Sequence, residues 1–212
     1  MPISLILQQP AVGAAWVAAI LVALAIHEFS HALVGTLLGD STAKQEGRLT
    51  LNPLAHVDPL GFLMLLFVGF GWGRPVPFDP SQLRYRTWGP ALVAMAGPAM
   101  NLLGVLVCGT LLAVLDRYAP LPPNNLFIFF LAFAFQMNIV LMLFNLIPIP
   151  PLDGSKVLLA ALDRPQYDRA RFLLETRGPM ILLGIIILDS FAGGIVFSRL
   201  FRGAMDWIVG LF

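Results

Sequence analysis

Long apolar runs, broken by short connections rich in polar residues, proline and glycine, make up most of the chain. Four runs are long and apolar enough to cross a bilayer as helices, at about Val12–Leu38, Pro90–Leu115, Leu126–Ile147 and Pro179–Phe197. The connection Gly39–Trp88 is polar at both ends. Its apolar middle, Leu60–Phe70, is short for a span and leads into Gly69, Gly71, Gly73, Pro75, Pro77 and Pro80, which predicts a re-entrant or interfacial segment. Arg48–Leu51 is a candidate short strand ended by Asn52-Pro53, and the mixed-charge stretch Asp153–Gly178 is expected at the membrane surface. The pattern predicts an all-α polytopic membrane protein with about four spanning helices, a re-entrant or interfacial segment, and room for short β-strands in the first loop.

Composition agrees with that class. Of 212 residues, 58% are hydrophobic and 12% charged, with mean hydropathy +0.83, whereas soluble domains are about 25% charged. The chain reads as one membrane-embedded domain over 1–212, with its core at about 12–160 and a last span and tail at 179–212. The length leaves no room for an independent soluble module. The N-terminus lacks the basic start and cleavage site of a secretory signal, so the first run is expected to be retained. A net charge of +1 points to no nucleic-acid partner, and the lone Cys108 reads as a buried packing residue.

Charge also predicts orientation. If Leu60–Phe70 does not cross, one side holds Lys44, Arg48, Arg74, Arg84, Arg86, Lys156, Arg164, Arg169, Arg171 and Arg177. The other holds Arg117, Arg199 and Arg202, the two groups together being all 13 basic residues. The excess places the first group in the cytoplasm and the N-terminus outside.

Inside the first run, His27-Glu28-Phe29-Ser30-His31 reads HExxH, the helical zinc-hydrolase signature. Charged residues at membrane depth are penalised by roughly 2.5–3.5 kcal/mol each on insertion scales, so their presence there marks function. On a helix the two histidines lie one turn and about 40° apart, facing one metal, and Glu28 is suited to act as general base on water. A polar packing cluster or part of an ion path is the other reading. A catalytic zinc also needs a third protein ligand and an open position. In Asn145-Leu146-Ile147-Pro148-Ile149-Pro150-Pro151-Leu152-Asp153-Gly154, the prolines stop the third span. Irregular backbone at that depth must be buried in protein or line a cavity. Asp153 is placed either to complete a His-His-Asp site or to cap the helix that begins near Ser155.

The pairing of HExxH with NLIPIPPLDG resembles the site-2 protease family of intramembrane zinc metalloproteases. Three further stretches are similar to the family's: Leu51–Pro59 (LNPLAHVDP), Gly71–Pro77 (GWGRPVP) and Ala96–Asn101 (AGPAMN). The likeness covers about residues 15–160, and is to compact prokaryotic members without a PDZ or CBS domain. It implies one zinc ion per chain held by His27, His31 and Asp153, with Glu28 as catalytic acid/base. Asn145 matches an asparagine that helps hold an extended substrate strand in relatives, and an interhelical hydrogen bond is its other reading.

The function implied is hydrolysis of peptide bonds in or beside transmembrane segments of membrane-protein substrates, for regulated intramembrane proteolysis or turnover. The site would face the cytoplasmic side of a prokaryotic inner membrane. Partners are then the bilayer and a transmembrane substrate held by β-addition at an exposed edge, with Arg48–Leu51 and Leu60–Phe70 the candidates. A catalytically silent scaffold for transmembrane helices and a metal-ion carrier are the alternatives. His56 is a candidate for metal or substrate binding, and Asp58 for orienting a ligand imidazole. Gly97, Pro98 and Asn101 read as close helix packing, and Gln136 and Asn138 as interhelical bonding.

Overall fold

The computed structural model describes residues 2–122 and 124–212. The described residues form helices α1 (Pro2–Gln8), α2 (Pro10–Leu37), α3 (Thr42–Gln45), α4 (Pro59–Val68), α5 (Gly89–Tyr118), α6 (Leu126–Asn145), α7 (Gly154–Ala161), α8 (Asp168–Phe191) and α9 (Ile195–Val209). Short 3-10 turns sit at Pro53–Ala55, Pro80–Gln82 and Pro165–Tyr167.

Three of these helices, α2, α5 and α6, are long and apolar enough to cross a membrane. Their ends follow local chemistry. Prolines stand in the first turns of α2 and α5, where a missing N–H is harmless, and Asn125 caps α6 through Phe127 N–H. The three helices pack on one another. Ala19 of α2, Val105 and Cys108 of α5, and Leu131, Phe135 and Ile139 of α6 form a shared core, to which α9 adds Ile208. Leu102, Leu106, Val107 and Phe127 remain exposed, as lipid-facing side chains do in a bilayer.

The fourth expected span, Pro179–Phe197, is not among the described helices apolar enough to cross. It lies in α8, which starts at Asp168 and ends at Phe191, short of the expected Phe197. Gly193 and Gly194 then adopt φ of 80° and 71°, a left-handed region that favours glycine and turns the chain into α9.

The apolar middle of the first long connection forms the ten-residue helix α4, about 15 Å long and too short to span. Asp58 caps it by accepting the Gly61 N–H at 2.7 Å. Gly69, at φ 85°, ends it. The chain then returns without regular structure beside α4. A Cβ on Gly61 would lie 2.1 Å from the Trp72 carbonyl oxygen, and one on Gly71 2.2 Å from that of Gly61, so only glycine allows this approach. Arg48–Leu51 is not a strand. Among the described residues the isolated β-bridge joins Val57 to Gly73, whereas the Arg48 N–H donates to Ala43 O and the Thr50 carbonyl accepts from His56 Nε2 instead of joining a ladder.

Candidate metal centre

The histidines of α2 are both buried, at 3% and 8% exposure. Their Nε2 atoms stand 3.0 Å apart. Asp153, eight residues beyond the end of α6, brings its Oδ2 to 3.2 Å from His27 Nε2 and 3.4 Å from His31 Nε2. One ligand atom from each residue falls within 4.8 Å of the others. Asp153 precedes α7 but makes no side-chain cap to it, its carboxylate being turned toward the imidazoles instead. Close chain passage makes that placement possible. A Cβ on Gly154 would sit 2.3 Å from the Leu146 carbonyl oxygen. Glu28 is buried too, and among the described residues its carboxylate has no hydrogen bond.

The opposite ring nitrogens are also held. His31 Nδ1 donates to the Val93 carbonyl at 2.8 Å, and His27 Nδ1 to Asn101 Oδ1 at 2.5 Å. Asn101 Nδ2 donates in turn to Asn138 Oδ1 at 2.8 Å and to the Ala23 carbonyl at 3.3 Å. Asn138 Nδ2 donates to Ala134 O at 2.7 Å. Two glycines of α5 make room. A Cβ on Gly97 would lie 2.5 Å from both His27 Cε1 and His31 Nε2, and one on Gly104 2.5 Å from Asn138 Oδ1. Gly97, Asn101 and Gly104 follow i, i+4, i+7 spacing and so share one face of α5. Sequence reasoning assigned Asn101 to packing and missed its contact with His27. The spacing of a polar residue between two glycines was the available signal.

Other candidates lie outside the three-residue group. Asn145 is half-buried at the end of α6 and donates to the Leu141 carbonyl of its own helix at 3.1 Å. His56 is fully buried, and its Nε2–H donates to the Thr50 carbonyl at 2.8 Å. Its Nδ1 has no hydrogen bond. Asp58 caps α4, so it does not orient an imidazole. Arg48 donates to the carbonyls of Arg74 at 2.5 Å and Pro75 at 3.3 Å. Burial and the charge of Arg74 lower its guanidinium pKa, opposed by the carboxylates of Glu28 and Glu46.

Comparison with known proteins gives the fold a lineage. YwhC of Bacillus subtilis (strain 168), assigned by name to the zinc metalloproteases, is 39% identical over 199 residues, spanning 91% of this chain and 88% of its own. The chain belongs to peptidase family M50. The model of that family matches residues 119–185. Two proteins named Rip2, likewise assigned by name to the zinc metalloproteases, are also similar to this M50 chain. The Mycolicibacterium smegmatis protein is 34% identical over 80% of this chain and 65% of its own. The Mycobacterium tuberculosis (H37Rv) protein is 30% identical over 90% and 71%. No solved structure matches.

This M50 chain is therefore a zinc metalloprotease with several helices able to cross a membrane. The group described above fits zinc. With each neutral imidazole carrying its proton on Nδ1, both Nε2 atoms present bare lone pairs to Asp153 Oδ2, which is buried without a hydrogen bond. Three acceptors facing one another repel, and a cation among them removes that repulsion.

Proposed function

We propose that this M50 chain is an intramembrane endopeptidase that hydrolyses peptide bonds in or beside the transmembrane segments of membrane-protein substrates. Regulated intramembrane proteolysis and membrane-protein turnover are the processes such a reaction serves. The observation that carries the reading is the convergence of His27, His31 and Asp153, next in sequence to Glu28, within a bundle of apolar helices of spanning length. In this reading His27 Nε2, His31 Nε2 and the Asp153 carboxylate hold the ion. Zinc, when bound, supplies Lewis acidity toward water and a carbonyl oxygen. Glu28 takes a proton from the attacking water and returns it to the leaving amine. Its freedom from other hydrogen bonds suits that exchange.

A helical substrate hides its carbonyls in internal hydrogen bonds, so the segment to be cut has to be held extended. Backbone near Arg74–Phe78 is a candidate for that task beside Arg48–Leu51, whereas Leu60–Phe70 is mostly helical. Arg48 holds the carbonyls of Arg74 and Pro75, and Arg74 N–H donates to the His56 carbonyl at 2.8 Å. Among the described residues the N–H groups of Val76 and Phe78 make no hydrogen bond, which leaves donors for an added strand. Asn145 stays a candidate substrate-binding residue, and the contacts of His56 favour holding the loop. The basic excess on one side supports a site facing the cytoplasm of a prokaryotic cell, with the N-terminus outside.

The test is cleavage of a transmembrane substrate in liposomes by wild type and Glu28→Gln, with zinc quantified in both. Glu28→Gln is expected to keep its zinc and lose about 10²–10⁴-fold in rate, the usual contribution of a general acid/base. Equal cleavage by both proteins, or zinc in neither, would overturn the assignment.

A further inference from the structure

We infer that Asn101 and Asn138 are positioning residues for the metal centre, forming a buried relay that fixes the tautomer of His27 so that its Nε2 lone pair faces the ion. The inference rests on the reading of His27 as a zinc ligand. Both amides are enclosed, at 0% and 2% exposure, and each hydrogen bond in the chain dictates the next. Asn138 Nδ2 donates to Ala134 O, which leaves Asn138 Oδ1 to accept from Asn101 Nδ2. Asn101 Nδ2 is thereby spent on Asn138 and Ala23 O, and Asn101 Oδ1 is turned toward His27 Nδ1. An oxygen there can only accept, so His27 carries its proton on Nδ1 and presents Nε2 bare. Groups that hydrogen-bond the outer nitrogen of a metal-binding histidine fix its orientation and raise its basicity.

The two histidines differ in how they are held. The Nδ1 of His31 is anchored on a backbone carbonyl, that of Val93, and no side-chain replacement removes it. His27 depends on side chains from α5 and α6, so the relay couples those two helices to the ligand on α2. Gly97 and Gly104, one turn before Asn101 and one after it, give the rings and the Asn138 amide their space.

A role confined to helix packing leads to a different ranking of variants. Asn101→Leu keeps the branched shape and the number of heavy atoms and removes the acceptor. Asn101→Asp keeps an acceptor for His27 but sets a carboxylate against Ala23 O and Asn138 Oδ1, which damages packing at least as much. If Asn101 only packs, Asn101→Asp is the worse variant by every measure. If it positions His27, Asn101→Asp holds zinc more tightly than Asn101→Leu in spite of a lower melting temperature.

The experiment measures zinc dissociation constants by chelator competition on purified full-length protein in detergent, with melting temperature recorded separately. Asn101→Leu is expected to weaken zinc by about 10–100-fold, and Asn138→Ala by less, because Asn101 keeps its bond to Ala23 O. The double variant should lose less than the product of the two effects. Unchanged affinity in a folded Asn101→Leu protein, or zinc losses that simply follow melting temperature across the series, would overturn the relay. Should Asn101→Leu fail to fold, Asn101→Ser, whose side chain is too short to reach His27, takes its place with the same two outcomes. His27→Ala separates the underlying assignment. If it binds zinc like wild type, the ligand reading fails, and if it loses zinc while Asn101→Leu does not, only the relay fails.

Discussion

A single missing methyl group decides whether the metal centre has room to exist. Gly97 lies against both imidazoles at a distance no Cβ tolerates, 2.5 Å to ring atoms of each. The rings are clamped on their far sides by Asn101 and Val93, so neither can swing away without losing its hydrogen bond. Gly97→Ala is therefore expected to weaken zinc binding by about 10–100-fold, the range seen when groups that orient metal ligands are disturbed. Zinc competition with helix content followed by circular dichroism checks this, the helices being expected to persist. Buried polar contacts between membrane helices contribute only about 0.6 kcal/mol on average. The asparagine pair thus matters more through what it points at than through its stabilisation of the bundle.

At the level of elements, the chain from Asn145 to Gly154 carries Asp153 back from the end of α6 to α2. Gly154→Ala would set a Cβ 2.3 Å from the backbone oxygen of Leu146, and overpacking of this kind typically costs about 1–3 kcal/mol. Backbone cannot step aside, so Gly154→Ala is expected to lower both melting temperature and zinc occupancy. Gly104→Ala presses on a side-chain amide instead and is expected to be milder in melting temperature. The irregular stretch after α4 has its own anchor in Arg48. Hydrogen bonds to charged groups contribute about 1.5–3 kcal/mol, so Arg48→Met is expected to release the backbone at Arg74 and Pro75. Slower cleavage with unchanged zinc content, and faster proteolytic nicking within residues 70–80, are the expected readouts. Farther out, Thr87 and Arg171 both bond to Asp163, tying the start of α5 to α8. Those bonds hold the Asp163 carboxyl pKa below its ordinary value.

For the whole molecule, zinc held as proposed would join two elements that are 122 residues apart in sequence, His31 on α2 and Asp153 before α7. A ligand bound only by the folded state stabilises it by about 2.7 kcal/mol at one hundred times its dissociation constant. The melting temperature of wild type is therefore expected to fall on chelation and recover with added zinc. Asp153→Asn should show a much smaller response, and an equal response would argue against its place among the ligands.

The all-helical membrane class and the spans at α2, α5 and α6 were legible in the sequence, because apolar length alone decides whether a segment can cross a bilayer. Proximity along a helix likewise brings His27 and His31 to one face. The end of α8 was not legible, since two glycines inside an apolar run look like any others until their φ values turn positive. Nor was the strand at Arg48–Leu51 excluded by composition; it fails because the Ala43 carbonyl takes the Arg48 N–H and the His56 side chain takes the Thr50 carbonyl, groups that a ladder would need. The partners of His27 depended on tertiary structure entirely. Asn101 and Asn138 read as ordinary interhelical polar residues, and only the crossing of α2, α5 and α6 determines that one amide meets an imidazole. Sequence specifies what each side chain can donate or accept, and helix packing determines which partner lies within reach.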